Sequence, residues 1–110
     1  MEITLTVLQR LKIEAYMKAQ EAKDPVDMMV RYQLLLKIRI PKSERGKYVR
    51  EMGQFAKLLE TPIEQAEPAT FELEKAEWDE LRDFLKSQGG VKLALEDMEW
   101  WLPLKEQYNL

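Results

Sequence analysis

Hydrophobic residues recur along this chain at two periods, and the places where the period changes mark out its elements. At the start, Ile3, Leu5 and Val7 alternate with Glu2, Thr4 and Thr6, the period of a short strand. Leu8, Leu11 and Ala15 then continue at helical spacing, and residues 9–23 are mostly Leu, Gln, Arg, Lys, Glu, Ala and Met, which are good helix formers. A helix over about residues 5–22 is expected, with Thr4 or Thr6 as its cap. Asp24-Pro25-Val26-Asp27 opens the next helix. The aspartate accepts hydrogen bonds from free backbone N–H groups, proline has no N–H to leave unpaired, and Asp27 complements the helix dipole. Pro41 closes it, because a residue before proline is pushed out of the helical region. Between those marks Val26, Met28, Met29, Val30, Tyr32, Leu34, Leu35, Leu36, Ile38 and Ile40 fall on every side of a helical wheel. Such a helix is expected at the centre of a fold. Residues 34–40 also alternate, so a strand is the rival reading there.

Beyond Pro41, residues 42–50 are polar, with Ser43 as a candidate cap for one or two helical turns, and Gly53 breaks the segment. Residues 54–60 and 69–73 flank a stretch, 61–70, that reads as an internal loop or a wide hairpin connection. Trp78, Leu81 and Leu85, with Phe84 beside them, form the apolar stripe of a helix over about 74–87, which Gly89-Gly90 would end. A last helix is expected over 95–108, kinked or divided by Pro103. The chain therefore reads as mainly α: one domain over residues 1–110, a small bundle of about four helices with a short β-hairpin near 54–73. If 3–7 and 34–40 are strands, the class becomes α+β.

Composition removes most chemistry. Among 110 residues there is no cysteine and no histidine, which excludes disulfides, thiolate nucleophiles, zinc fingers and an imidazole base. The two serines, Ser43 and Ser87, lack a nucleophile-elbow context, and four glycines leave no room for a phosphate-cradling loop. No apolar run approaches a membrane span, and Met1-Glu2-Ile3-Thr4 lacks the features of a signal peptide, so a soluble cytoplasmic protein is expected. Glu74, Glu77 and Glu80, with Asp79 and Asp83, could share a helix face and hold a hard cation. Ordinary surface helices carry such acids, so the expectation is a solvated face, no metal, no cofactor, no catalytic residue and no enzyme.

Charge is distributed unevenly behind a net −3. Residues 31–50 hold seven basic side chains (Arg31, Lys37, Arg39, Lys42, Arg45, Lys47, Arg50) against Glu44 alone, and residues 51–110 hold six basic against fourteen acidic. The basic run, near Tyr32 and Tyr48, could contact phosphates and stack on a base. The overall pI of about 5.1 is low for nucleic-acid binding. Those cations could equally pair with the acids, within one chain or between subunits. Trp100 and Trp101 are adjacent, so on a helix they diverge by about 100°. One can join the core with Trp78, and the other is a candidate anchor for a protein partner. The alternative is that both pack into one wide apolar face.

Ile3-Thr4-Leu5-Thr6-Val7-Leu8-Gln9-Arg10-Leu11, a second apolar helix ending near Ile40, a Ser43-Glu44 turn, Phe71-Glu72-Leu73-Glu74-Lys75-Ala76-Glu77 and a closing Leu104-Lys105-Glu106-Gln107-Tyr108 resemble a group of small phage and prophage proteins. The double tryptophan and Pro103 depart from that pattern. The resemblance implies no catalytic residues. It implies a protein that acts by binding host machinery or as a small part of the particle. The expected function is thus a non-enzymatic protein-interaction module that binds a host or phage protein through Trp100, Trp101, Arg39, Lys42, Arg45, Lys47 and Arg50. The alternatives are a nucleic-acid-binding regulator using residues 31–50, and a particle structural or assembly component in which subunits pair as a homo-oligomer.

Overall fold

A computed structural model describes residues 1–87 and 94–109. The chain opens with strand β1 (Glu2–Leu5), which buries Ile3 and Leu5 and turns Glu2 and Thr4 outward. Thr6 then caps helix α1 (Val7–Lys18). Its hydroxyl accepts from Gln9 N at 3.1 Å, and Gln9 Oε1 accepts from Thr6 N at 2.9 Å. This reciprocal box fixes the change from strand to helix at one residue. The helix starts two residues later than residue 5 and ends at Lys18 instead of 22.

Helix α2 (Pro25–Ile38) starts where the Asp24-Pro25 signal puts it, with Asp24 Oδ1 accepting from Asp27 N at 2.8 Å. Residues 34–38 are helical, so the strand alternative does not hold there. A single turn, α3 (Lys42–Arg45), follows Pro41 without a side-chain cap, so Ser43 is not its cap. Strands β2 (Val49–Met52) and β3 (Phe55–Leu58) pair antiparallel around a two-residue turn in which Gly53 takes φ +65°. Glycine adopts that left-handed geometry without a Cβ clash.

Residues 61–70 are not a loop. Helix α4 (Glu60–Gln65) and strand β4 (Ala69–Glu72) occupy most of them. Pro62 lies in the first turn of α4, where its missing N–H has no intrahelical partner to lose. The hairpin therefore lies at 49–58, and β4 pairs instead with β1, placing Ile3 opposite Phe71 and Leu5 opposite Ala69. Thr4 closes the open edge of this two-stranded sheet with an amide from the far end of the chain. Gln107 Oε1 accepts from Thr4 N at 3.0 Å, and Gln107 Nε2 donates to Thr4 O at 2.7 Å. The side chain thus stands in for a third strand at that position.

Helix α5 (Lys75–Ser87) matches its expected span and buries Leu81, Phe84 and Leu85. Gly89-Gly90 lies outside the described residues. A 3₁₀ turn (Leu95–Asp97) leads into α6 (Met98–Gln107), which runs through Pro103 without dividing. Pro103 sits on the exposed side with Glu99 and Leu102, where its ring does not interrupt the buried face of the helix. The result is mainly α, four helices of ten or more residues with two small antiparallel sheets among the described residues. The main core joins Ile3 and Leu5 of β1, Ile13 and Met17 of α1, Leu34 and Ile38 of α2, Leu81 and Leu85 of α5, and Leu104 of α6. A second cluster, Val7, Leu11, Ile40, Val49 and Ile63, ties the hairpin and α4 to α1. No helix among the described residues is long and apolar enough to cross a membrane.

Candidate functional site

Both tryptophans are inside, so the alternative in which the pair packs together holds and the reading with one ring exposed as a partner anchor does not. Trp100 is 2% exposed and Trp101 3%, so neither can anchor a partner in this fold. Their divergence on α6 is what buries them, because a different helix covers each ring. Trp100 stacks on Tyr16 of α1 at 5.8 Å, and Trp101 tilts against Phe84 of α5 at 6.2 Å. The two indoles meet edge to face at 5.5 Å.

Asp97 organises this aromatic layer and is 2% exposed. Its carboxylate accepts from Trp100 Nε1 at 2.9 Å, Tyr16 Oη at 2.9 Å and Ala94 N at 2.8 Å, with Lys12 Nζ 3.7 Å away. Burial alone would raise its pKa, but the donors from Trp100, Ala94 and Tyr16, with Lys12, together hold it below the ordinary value. The same contact acts in reverse on Tyr16, whose hydroxyl is pushed up to about 12 by burial and then by the carboxylate beside it. Beside this group a cleft of 340 Å³ is lined by Lys12, Glu60, Glu64, Glu96 and Glu99, among others. With every donor around Asp97 already engaged, the carboxylate is a packing centre.

The acids of α5 that could have shared a cation are divided among cations of the chain itself. Glu77, 1% exposed, accepts from Lys37 Nζ and from Glu74 N at its own helix start. Glu80 Oε1 accepts from Arg31 Nε at 3.1 Å. Asp79 pairs with Lys75 and Arg82 on the exposed side. No group of three carboxylates able to hold a metal occurs among the described residues.

These pairs expose the least expected feature of the molecule. The charges of α2, namely Asp27, Arg31 and Lys37, lean toward α5, while its large apolar residues point away from the protein. Val26 is 70% exposed, Met28 60%, Met29 61% and Tyr32 64%, and Leu36 is exposed as well. Only Leu34 and Ile38 are buried. A helix apolar all round was expected at the centre, yet α2 lies at the periphery. The inward face carries Leu34 and Ile38 into the core and brings Lys37 to Glu77 and Arg31 to Glu80, and the remaining apolar stripe is left in water.

The five cations expected to bind a partner sit on successive elements and do not form one cluster with the tryptophans. Arg39, at the end of α2, Lys42 and Arg50 are exposed and make no ion pair among the described residues. Arg45 approaches Glu51 at 3.5 Å and Lys47 approaches Glu44 at 4.0 Å. Arg50 lies directly opposite Lys57 across the hairpin, and Met52 opposite Phe55, so these four share one face of the ribbon. Phe55 is 77% exposed there. Sequence reasoning missed Phe55 and Lys57, although Gly53-Gln54 between two short segments of strand-forming composition was a readable hairpin signal.

The chain matches no protein-family model, no curated protein and no solved structure.

Proposed function

We propose that this chain is a non-enzymatic protein-interaction module that docks through the outward face of α2. One observation carries the reading: Met28, Met29, Tyr32 and Leu36 form a continuous exposed stripe on a helix whose charged residues pair with α5. Contiguous apolar surface of this kind mixes flexible methionines with an aromatic anchor, the composition of protein-contact surfaces. The resemblance to small phage proteins supports a host or phage protein as a partner. Affinity capture from a lysate of the source cells, with and without nuclease, tests it. A stoichiometric protein that survives nuclease and is lost with Met29→Glu is expected. Equal recovery by wild type and variant removes α2 as the docking face.

A second reading places single-stranded nucleic acid on the hairpin, and one arrangement favours it. Like charges directly opposite in an antiparallel pair destabilise a ribbon, and Arg50 opposite Lys57 beside exposed Phe55 offers two phosphate contacts and a stacking surface. Fluorescence anisotropy with a labelled oligothymidylate would show binding that weakens steeply with salt and is lost in Phe55→Ala. Absence of binding at low salt ends this reading.

A further inference from the structure

We infer that the outward face of the β2–β3 hairpin docks on the surface of an anionic lipid bilayer. This site is separate from α2 and does not depend on that helix as a docking face. Strand alternation divides the ribbon into two sides. Val49 and Leu58 join the second core cluster, and Glu51 and Ala56 share their side, with Glu51 approaching Arg45. Arg50, Met52, Phe55 and Lys57 occupy the other side, so the ribbon's one acid is not among them. Met52 is 54% exposed and Phe55 77%. Arg50 and Lys57 are exposed and make no ion pair among the described residues.

The order of these side chains along the ribbon selects the occupant. The turn at Gly53 holds Met52 and Phe55 side by side as the last pair before the tip. Arg50 and Lys57 lie two residues back on each strand, about 7 Å behind them. A bilayer surface is layered in the same order, with anionic headgroups above an acyl boundary that interfacial side chains enter by about 5–10 Å. When Met52 and Phe55 reach that boundary, the two cations are level with the headgroups. Arg50 and Lys57 repel each other across the ribbon, and headgroup anions relieve that repulsion. A nucleic-acid strand stacked on Phe55 would carry phosphates to both sides of the ring. The ribbon has cations on one side of it only, because Gly53 and Gln54 lie beyond, and Met52 offers no ring for a second base.

Two apolar side chains and two cations make a weak, reversible attachment. Flotation of the intact chain with vesicles of phosphatidylcholine alone, or of equal parts phosphatidylcholine and phosphatidylserine, tests it. Binding to the mixed vesicles that falls as salt rises is expected. Phe55→Ser should weaken it about tenfold. Arg50→Glu combined with Lys57→Glu should abolish it, while keeping like charges opposite and so leaving the ribbon no less stable. Both variants should retain the near-UV circular dichroism of wild type, since these side chains are exposed. With no cysteine in the chain, Gln54→Cys can carry a single environment-sensitive dye at the tip. Its emission should rise with mixed vesicles, while the same dye at Glu106→Cys, on the exposed side of α6, stays constant. No binding to either vesicle overturns the inference, as does binding indifferent to lipid charge or to both hairpin variants. Binding lost with Met29→Glu and kept by the hairpin variants overturns it in favour of α2. A chain that ignores vesicles yet binds oligothymidylate through Phe55 overturns it in favour of nucleic acid.

Discussion

Replacing Asp97 with alanine is expected to lower the unfolding free energy by about 4 kcal/mol, a large share of what a domain of this size possesses. The loss comes from what remains behind. Trp100 Nε1, Tyr16 Oη and Ala94 N all donate to the carboxylate, and Trp100 and the aspartate are almost fully enclosed. Three donors would then lose their acceptor, Trp100 Nε1 in a buried position and Tyr16 Oη and Ala94 N in partly buried ones, and an unsatisfied buried group costs about 1–3 kcal/mol. Tyr16→Phe, which removes one donor and leaves the others served, should cost about 1 kcal/mol. Asp97→Asn should fall between, because its amide keeps one acceptor oxygen but turns donors toward donors. Urea unfolding followed by tryptophan fluorescence reads all three variants. A loss under about 1 kcal/mol for Asp97→Ala would show that water reaches these donors and that the site is wetter than its burial implies. The pH dependence of the wild type carries the same signature. The folded carboxyl titrates below its ordinary value, so its stabilisation is present at neutral pH and disappears as the pH falls through the folded pKa.

How far such features can be read from the sequence depends on whether their cause is local. The starts of α1 and α2 are legible, because Thr6 with Gln9 and Asp24 with Pro25 act within one turn. The stripe of α5 is legible for the same reason. What the sequence could not show is which side of α2 turns inward. That choice depends on partners far along the chain: Leu34 and Ile38 join the core with Leu81 and Leu85, and Lys37 and Arg31 meet Glu77 and Glu80, 40 to 49 residues away. A wheel drawn for α2 alone shows apolar residues on all sides and suggests a central helix. Once its charges are paired across the interface, the same residues become a surface. For the tryptophan pair, of the two readings open from the sequence, both rings packed inside is the one the fold adopts. Two large side chains 100° apart suggested one exposed ring, but α1 and α5 flank α6 and cover one each. Strand pairing is the third case. The alternation in 2–5 and the composition of 69–72 were visible, but their union joins positions up to 70 apart, and Gly53 signals a tight turn only if its flanks are read as strands. The candidate site was hidden by the same non-local pairing that exposes it.

Neutralising Glu80 should stabilise the protein, and only above mildly acidic pH. This carboxyl is 12% exposed, accepts from Arg31 and shares a hydrogen bond with Asp27. Burial, followed by the hydrogen bond with Asp27, raises its pKa from 4.5 to about 7, against the smaller opposing influence of Arg31. Asp27 moves the other way, held low first by that same hydrogen bond. The pair therefore behaves as one proton shared by two carboxyls, with Glu80 keeping it. Because the folded pKa lies above the unfolded one, the stabilisation is complete below about 4.5 and is lost as the pH rises toward 7. Glu80→Gln keeps the shape and a donor toward Asp27 without the ionisation, while Asp27 remains 3.7 Å from Arg31 to balance its charge. At pH 8 the variant should be more stable than wild type by about 2 kcal/mol, and at pH 4.5 the two should coincide. Thermal unfolding at the two pH values decides it. A variant less stable at pH 8 would mean that the Arg31–Glu80 ion pair outweighs the cost of burying the second negative charge. The α2–α5 contact would then be held by two full ion pairs. The expected result instead leaves Lys37–Glu77 as the principal ion pair of the α2–α5 contact, beside the buried Leu34 and Ile38.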